Sequence, residues 1–298
     1  MIPRIPAKRL LKRTAGWAAQ VSPGRAPPPE TPQVCIHVYH RIAKLGFIDP
    51  QYDDWNVPPA RFEQHVAALA ETSECLALGD LPDRLAKPAQ ASKPLVCLTF
   101  DDGYANFYTE ALPVLRHYGV PAALGVVTGM VGSAEPMPFD AWSRKHGRHV
   151  PADCWRSLDW AEIEACVGSG LVTLVSHSHR HAKVPECSTA ELIDEATRSR
   201  AILHARFGDA HAQGYVYPYG CSRLGYVPSQ YVQAVRDAGY RLAMTTDLGL
   251  ATAASDPYRL PRVEAHGLDT PGVLRAKARG SLAPFHLINL LRSHQGTK

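Results

Sequence analysis

From residue 33 to about residue 265 the sequence alternates between short β-rich runs and longer stretches with helical spacing. Because parallel strands require long, usually helical crossovers, this alternation without an internal linker predicts one α/β domain, most simply a parallel barrel. The predicted strands are 34–39, 95–100, 122–127, 171–175, 215–217 and 241–245, and the predicted helices are 61–71, 107–117, 161–167, 188–207 and 230–238.

Local signals in the sequence agree with these helices. Ser188-Thr-Ala-Glu191 has the pattern of a capping box, in which the first and fourth side chains satisfy each other's backbone N–H groups. Gly119, Gly208 and Gly239 follow predicted helices, where glycine commonly ends a helix. The helix boundaries are therefore predicted by more than hydrophobic spacing.

Charge separates the two ends of the chain from this domain. Of 298 residues, 32 are basic and 28 acidic, but residues 1–29 contain six basic residues and 270–298 contain five, with no acid in either. Residues 30–269 then hold 21 basic and 28 acidic residues, a net charge of −7 that argues against nucleic acid as a partner. We predict a basic, proline-rich N-terminal tail over 1–32, a domain over 33–269 and a basic C-terminal extension over 270–298.

The cysteines and the N-terminal sequence give an expectation for where in the cell the protein is located. The seven cysteines are odd in number and scattered, which predicts neither a disulfide framework nor a thiolate zinc site. The N-terminus lacks the apolar stretch of a secretory signal, so we expect a cytoplasmic protein. The basic ends, with a short amphipathic helix at 8–20, can also contact the inner face of a membrane, although solvated tails are the simpler interpretation. The basic residues of the C-terminal end include Arg275, Lys277, Arg279 and Arg292.

Two predicted strands end in groups that can bind a metal ion. One of these strands ends at Asp101 and Asp102, which by themselves are ordinary turn residues. Two adjacent carboxylates repel each other when both are ionised, however, and a nearby cation removes this cost in free energy. A later strand is followed by His177 and His181, which are four residues apart. We expect the two to lie on one helical turn and to bind one ion, while His179 points elsewhere. Since active sites of parallel α/β domains form at the carboxyl ends of strands, we predict a His-His-Asp site with an open coordination position.

Two more strand ends add groups to the same rim. Tyr217-Pro-Tyr-Gly220 places Tyr219 at the pocket, with backbone N–H groups able to face an oxyanion, although Pro-Tyr-Gly by itself is usually a turn. The first strand ends at His40, whose imidazole titrates near neutral pH and is a candidate general acid.

Thr99-Phe-Asp-Asp102, His177-Ser-x-x-His181 and Tyr217-Pro-Tyr-Gly220, in this order, resemble the motifs of the metal-dependent polysaccharide deacetylases. This is the NodB-homology group of carbohydrate esterase family four, and the resemblance covers roughly residues 33–265. It implies a distorted (β/α)7 barrel within the α/β class. It also implies hydrolysis of an N-acetyl or O-acetyl group on a sugar.

The resemblance further implies roles for individual residues. Asp101 matches the catalytic base, and Asp102, His177 and His181 match the ligands of Zn2+ or of another divalent ion such as Co2+, Ni2+, Mn2+ or Fe2+. A water molecule activated by the ion and by the base would attack the acetyl carbonyl group.

Two departures from the family pattern concern the partner of the base and the general acid. Val216 stands where the third motif often has an arginine, and the late acid motif has only a loose match at His266. Both features resemble the poly-N-acetylglucosamine deacetylase subgroup, in which an N-terminal Tyr-His strand provides the acid. This makes His40 the first candidate and His266 the reserve. We expect Arg262 near the site, either contacting Asp101 in place of the missing arginine or in a structural pairing.

The segment 129–156 is a long connection of a kind that often carries function. Trp142 and Trp155 either stack on sugar faces or pin this segment to the barrel, two interpretations of equal weight. The segment also has basic residues that can meet a phosphate, namely Arg144, Lys145 and Arg148.

Together these features predict an enzyme that removes the N-acetyl group from an N-acetylated amino sugar. The expected partner is a glycan or a lipid- or nucleotide-linked intermediate of lipopolysaccharide or exopolysaccharide assembly. Three alternatives are an O-acetyl esterase or non-sugar amidase with the same metal site, a non-catalytic glycan-binding protein with a relic site, and a basic-tailed membrane scaffold. The sequence makes no prediction of oligomeric state.

Overall fold

The computed structural model describes residues 14, 18, 32–45, 47, 49, 55–87 and 93–285. The predicted N-terminal tail and its amphipathic helix lie almost wholly outside the described residues. The end of the predicted C-terminal extension, with Arg292, lies outside them as well.

Seven parallel strands close into a barrel, which confirms the predicted distorted (β/α)7 fold. Each strand pairs with its neighbour in the chain, and the first strand pairs in parallel with both the second and the last, which closes the ring. The strands are β1 (Gln33–Tyr39), β2 (Leu95–Phe100), β3 (Ala122–Val126), β4 (Val172–Ser176), β5 (Gly214–Val216), β6 (Leu242–Leu248) and β7 (Leu260–Glu264). Six match the predicted strands within a few residues, and β7 was not predicted.

Short strands lie outside this ring. One pairs in parallel with β2, one pairs antiparallel with β1, and the other two pair with each other. In chain order they are Arg41–Ile42, Asn56–Val57, Glu74–Cys75 and Ala251–Thr252.

Most of the helices surround the ring and cover its outer face. They are α1 (Pro59–Thr72), α2 (Leu81–Ala86), α3 (Leu112–Tyr118), α4 (Ala141–His146), α5 (Trp160–Val167), α6 (Thr189–Phe207), α7 (Ser229–Asp237) and α8 (Pro271–Ala278). A π-helical turn, Phe107–Ala111, leads into α3. The predicted capping box of Ser188 and Glu191 is present at the start of α6, and Gly119 ends α3 with a φ of 64°. The pattern did not predict α2, α4 or α8.

Alternation along β2 shows how the fold brings charge to the mouth of the barrel. Leu95 and Cys97 point inward and pack with interior residues of the other strands. Val96 and Leu98 point outward and pack under the surrounding helices. Because successive side chains alternate between the two faces of a strand, Asp101, just past the end of β2, falls on the inward side.

The C-terminal helix α8 packs against α1 and is anchored by a buried ion pair. Lys277 is 1% exposed, and its Nζ donates to Asp269 Oδ2 at 2.6 Å and to the Glu264 carbonyl oxygen at 2.7 Å. The Lys277 ammonium therefore cannot reach a membrane, contrary to our expectation for this residue. The start of the predicted basic extension is folded onto the barrel.

Two further observations concern the cysteines and the length of the helices. All seven cysteines are free thiols. Among the described residues, none of the helices has both the length and the apolar character needed to cross a bilayer.

We expect the Asp269→Asn variant to lose about 3 kcal/mol of unfolding free energy, because it leaves the buried Lys277 ammonium without its counter-charge. Urea denaturation at pH 7 measures the loss. Arg279→Ala, at the exposed end of α8, is the control and should unfold with the wild type. An Asp269→Asn variant as stable as the wild type contradicts the role of this pair as an anchor.

Candidate functional site

Asp102, His177 and His181 come together at the carboxyl end of the barrel. The Oδ1 atom of Asp102 lies 3.2 Å from His177 Nε2 and 3.5 Å from His181 Nε2. Two ligand atoms that each lie about 2.1 Å from a tetrahedral ion are themselves about 3.4 Å apart. The three side chains therefore fit one divalent ion. In the described part of the chain no other group of three His, Cys, Asp or Glu side chains offers ligand atoms this close together.

The two imidazoles reach this position from an irregular turn rather than from the helical turn that we expected. Ser178 and His181 adopt left-handed backbone conformations, with φ values of 63° and 58°. This conformation breaks the helical path and still directs both rings toward one point. His179 points away, as predicted, and its Nδ1 lies 3.0 Å from Thr128 Oγ1.

Left-handed backbone is concentrated at this site. Asp102 and Tyr219 have φ values of 71° and 60°, and with Ser178 and His181 they are all the non-glycine residues of positive φ in the described chain. Such a conformation costs roughly 1–2 kcal/mol per residue and persists only where the surroundings enforce it. The fold thus places its backbone strain at the predicted catalytic rim.

Asp101 is held by Arg262, as one of our two interpretations of this arginine expected. The guanidinium donates Nη1 to Oδ1 and Nη2 to Oδ2, each at 2.7 Å, while its Nε donates to the Thr245 carbonyl oxygen at 2.8 Å. Burial acts to raise the pKa of Asp101, but the Arg262 guanidinium outweighs it and holds this pKa below the usual value. The carboxylate is therefore ionised at neutral pH.

Two of the three clustered side chains have the protonation states that metal ligands need, since Asp102 is ionised and His181 is neutral. Burial opposes ionisation of Asp102, yet its hydrogen bond with His177 and the nearby histidines hold the pKa of this carboxyl well below its usual range. Burial, reinforced by His177, lowers the pKa of His181 to about 3. For His177 burial lowers the pKa, but the Asp102 and Asp101 carboxylates outweigh it and raise the value. An ionised carboxylate beside imidazoles is a donor set for a divalent cation.

Of the two candidate acids, His40 lies beside the carboxylate of Asp101, and His266 does not. His40 Nε2 lies 3.9 Å from Asp101 Oδ2, and its ring packs 4.4 Å from that of Trp55. Burial lowers the pKa of His40. His266 Nε2 instead lies 2.9 Å from a Glu264 carboxylate oxygen. Of the two candidates, His40 lies closer to the base.

A cavity of about 340 Å³ opens over these groups. Asp101, Asp102, His40 and the two metal-site histidines line it, whereas His266 does not. Apolar walls around a few convergent polar groups are typical of a small-molecule site. The aromatic walls are Trp55, Tyr104, Phe139, Trp142, Tyr217 and Tyr219.

The segment 129–156 forms one wall and contains α4. Asp140 caps α4 by accepting the Ser143 N–H at 3.0 Å, and its Oδ2 accepts from Arg41 Nη2 at 2.6 Å and from the Tyr104 hydroxyl at 2.7 Å. This network was not predicted from the sequence. Asp-x-x-Ser before a helix signals a cap, but nothing in the sequence links it to residues 41 and 104.

Trp142 anchors this segment to the rest of the protein, whereas Trp155 packs within the segment. The Trp142 ring is 2% exposed and lies 4.1 Å from the Arg41 guanidinium, and Trp155 packs beside Gly147. Trp142 also lines the cavity, whereas Trp155 does not. Of the segment's basic residues, Lys145 forms an ion pair with Asp49 at 2.8 Å.

We expect Arg262→Met to destabilise the protein by about 3–5 kcal/mol, because it leaves the Asp101 carboxylate buried and unpaired. The double variant Arg262→Met/Asp101→Asn removes the buried charge and should regain part of this loss. Urea denaturation of the two variants and the wild type measures both effects. Equal stability of the single and double variants would show that the ion pair is not the source of the loss.

Comparison with known proteins identifies the family of this chain. Residues 89–243, just over half of the chain, match the family model described as polysaccharide deacetylase. The poly-β-1,6-N-acetyl-D-glucosamine N-deacetylase of Staphylococcus aureus is 23% identical over 243 residues, which cover 76% of this chain and 76% of that protein.

Solved structures share the fold. The deacetylase PplD of Streptococcus pyogenes, in complex with acetate, superposes with a TM-score of 0.68 at 22% identity, covering 82% of this chain and 97% of that chain. IcaB from Ammonifex degensii superposes with a TM-score of 0.65 at 20% identity, covering 85% of this chain and 99% of that chain. With the family model, the closed barrel and the three motifs in agreement, the chain belongs to the polysaccharide deacetylase family, the hydrolases of carbohydrate esterase family four.

Proposed function

We propose that this protein removes the N-acetyl group from an N-acetylated amino sugar, with Asp102, His177 and His181 holding a divalent ion. The observation that carries the proposal is an ionised carboxylate, Asp101, beside the Asp-His-His group in one aromatic-walled cavity. The name of the Staphylococcus aureus relative, a poly-β-1,6-N-acetyl-D-glucosamine N-deacetylase, supports an amino-sugar substrate. Aromatic faces in the cavity suit the apolar faces of sugar rings.

The roles of the protein's own groups follow from their positions. A divalent ion at the site, Zn2+ or one of the other ions named above, supplies a Lewis acid that polarises a carbonyl group and lowers the pKa of water. Asp101 accepts the proton of the attacking water, and Arg262 holds both oxygens of this base in place. A backbone N–H at Tyr219 donates to the oxyanion, a contribution of about 3 kcal/mol per well-placed donor.

His40 completes the reaction as the general acid. The water oxygen bonds to the acetyl carbon, the carbon–nitrogen bond breaks, and the nitrogen takes a proton from His40 to leave as an amine. Because burial lowers the pKa of His40, its protonated form is a stronger acid than an exposed imidazolium, but less of the residue is protonated at neutral pH. The products are acetate and a free amino sugar.

We extend the proposal to a glycan intermediate on a lipid or nucleotide carrier, in the cytoplasm or at the inner face of its membrane. Seven free thiols support a reducing compartment. Arg144 and Arg148 are exposed on the segment that forms a cavity wall, where they can meet the phosphate of a carrier. Exposed Arg279 supports contact with an anionic surface.

Product analysis tests the proposal directly. The Zn2+-loaded protein is incubated with β-1,6-linked N-acetylglucosamine oligomers and, separately, with an O-acetylated oligosaccharide. We expect mass spectrometry to show loss of acetyl groups from the first. Loss from the second alone would make the protein an O-acetyl esterase, and loss from neither would overturn the proposal.

The ligand and base assignments predict different losses. We expect Asp101→Asn to retain the ion but to lower kcat by about 10²–10⁴-fold, because it removes the proton acceptor. His177→Ala should lose both the ion and turnover. Elemental analysis of the purified variants measures the ion, and acetate release measures turnover. Normal hydrolysis by Asp101→Asn would show that Asp101 is not the base.

The choice of acid predicts a dependence on the leaving group. We expect His40→Gln to lower N-deacetylation by about 10²–10⁴-fold and to spare hydrolysis of p-nitrophenyl acetate, because nitrophenolate leaves without a proton. His266→Gln is the matched control and should behave as the wild type in both assays. The reverse result for the two histidines would assign the acid to His266.

A further inference from the structure

The turn that carries His177 and His181 rests on a buried carboxylate outside the cavity. Glu195, on α6, is 0% exposed. Its Oε2 accepts the backbone N–H groups of His179 at 3.0 Å and Arg180 at 2.7 Å. Its Oε1 accepts Arg180 Nε at 2.7 Å. Every hydrogen bond that the structure gives this carboxylate comes from the turn.

A second side chain of α6 holds the same turn. Ser199 lies one helical turn after Glu195, is also buried, and donates its hydroxyl to the Ser178 carbonyl oxygen at 3.1 Å. The Ser178 hydroxyl in turn accepts the His181 N–H at 2.8 Å. All three residues between the two imidazoles are therefore bound to α6.

The conformation of this turn needs such support. Ser178 and His181 are left-handed, and non-glycine residues adopt that backbone only where their surroundings fix it. Bonds from an N–H to an ionised carboxylate are stronger than those to a neutral acceptor. If Glu195 were lost, the turn could relax, and the His181 ring would leave its place beside Asp102.

Docking of α6 does not explain a buried charge here. Leu192, Ala196 and Leu203 already pack the helix into the apolar clusters of the domain. Burying a carboxylate carries a desolvation penalty, and well-packed apolar residues stabilise a helix contact at least as well. The partners of Glu195 instead indicate that it serves the turn.

We propose that Glu195 is a positioning residue for the metal site, which sets the turn in the ion-free protein so that His177 and His181 already face Asp102. This inference rests on the proposed function, because it takes those three side chains as ligands. Groups that orient metal ligands commonly change metal affinity when they are substituted.

The test is the Zn2+ dissociation constant of the full chain, measured by competition with a chromophoric chelator. We expect the dissociation constant to rise about 100-fold in Glu195→Ala and about tenfold in Glu195→Gln, whose amide oxygen can still accept the two N–H groups. Glu191→Gln is the matched control on the same helix, since Glu191 is exposed and bonds to Ser188 away from the turn. It should bind Zn2+ as the wild type does.

Thermal unfolding in excess chelator separates positioning from a purely structural role. If the role of Glu195 were merely structural, its substitution would lower the unfolding temperature of the ion-free protein and leave the Zn2+ affinity of the folded protein unchanged. That result would overturn the inference. If Glu195→Ala does not fold, the Zn2+ affinity and the unfolding temperature of Glu195→Gln distinguish the two roles in the same way. A wild type that binds no Zn2+ would overturn the metal site of the proposed function and this inference with it. Because the experiment measures Zn2+ binding and not deacetylation, its result does not depend on which sugar is the substrate.

Discussion

The bidentate pair of Asp101 and Arg262 joins the second and last strands of the barrel at its mouth. A carboxylate this deeply buried stays charged only because a guanidinium satisfies both of its oxygens. The pair thereby links closure of the ring to the chemistry of the site. It ties β7 to β2 across β1, and it keeps the proposed base ionised beside the Asp-His-His group.

The same pair explains the main gap in predicting the fold from sequence. Six barrel strands are apolar enough to be recognised, but β7 contains Pro261, Arg262 and Glu264 and does not have the pattern of a buried strand. An inward arginine is stable there only because Asp101 lies opposite, far away in the chain. Helix α4 was missed for a related reason, since Arg41, which anchors its cap residue Asp140, lies far away in the chain.

The site was predictable where short motifs carry it and not where distant contacts do. Strand ends followed by Asp-Asp or by His-x-x-x-His identified the clustered side chains, and their grouping is as expected. The i, i+4 spacing suggested a helical turn, which was wrong, because spacing does not reveal left-handed residues such as Ser178. The proximity of His40 to the carboxylates could be seen only in three dimensions, as could the place of Glu195.

In this barrel, neighbours in the ring are also neighbours in the chain. Each connection at the carboxyl rim therefore joins adjacent strands and can lengthen without disturbing closure, since added loop length is entropically cheap. The reactive side chains come from strand ends, whereas one wall of the cavity comes from the segment 129–156. The two are thus carried by different parts of the chain, so that changes in the segment can reshape the cavity without moving the strand ends.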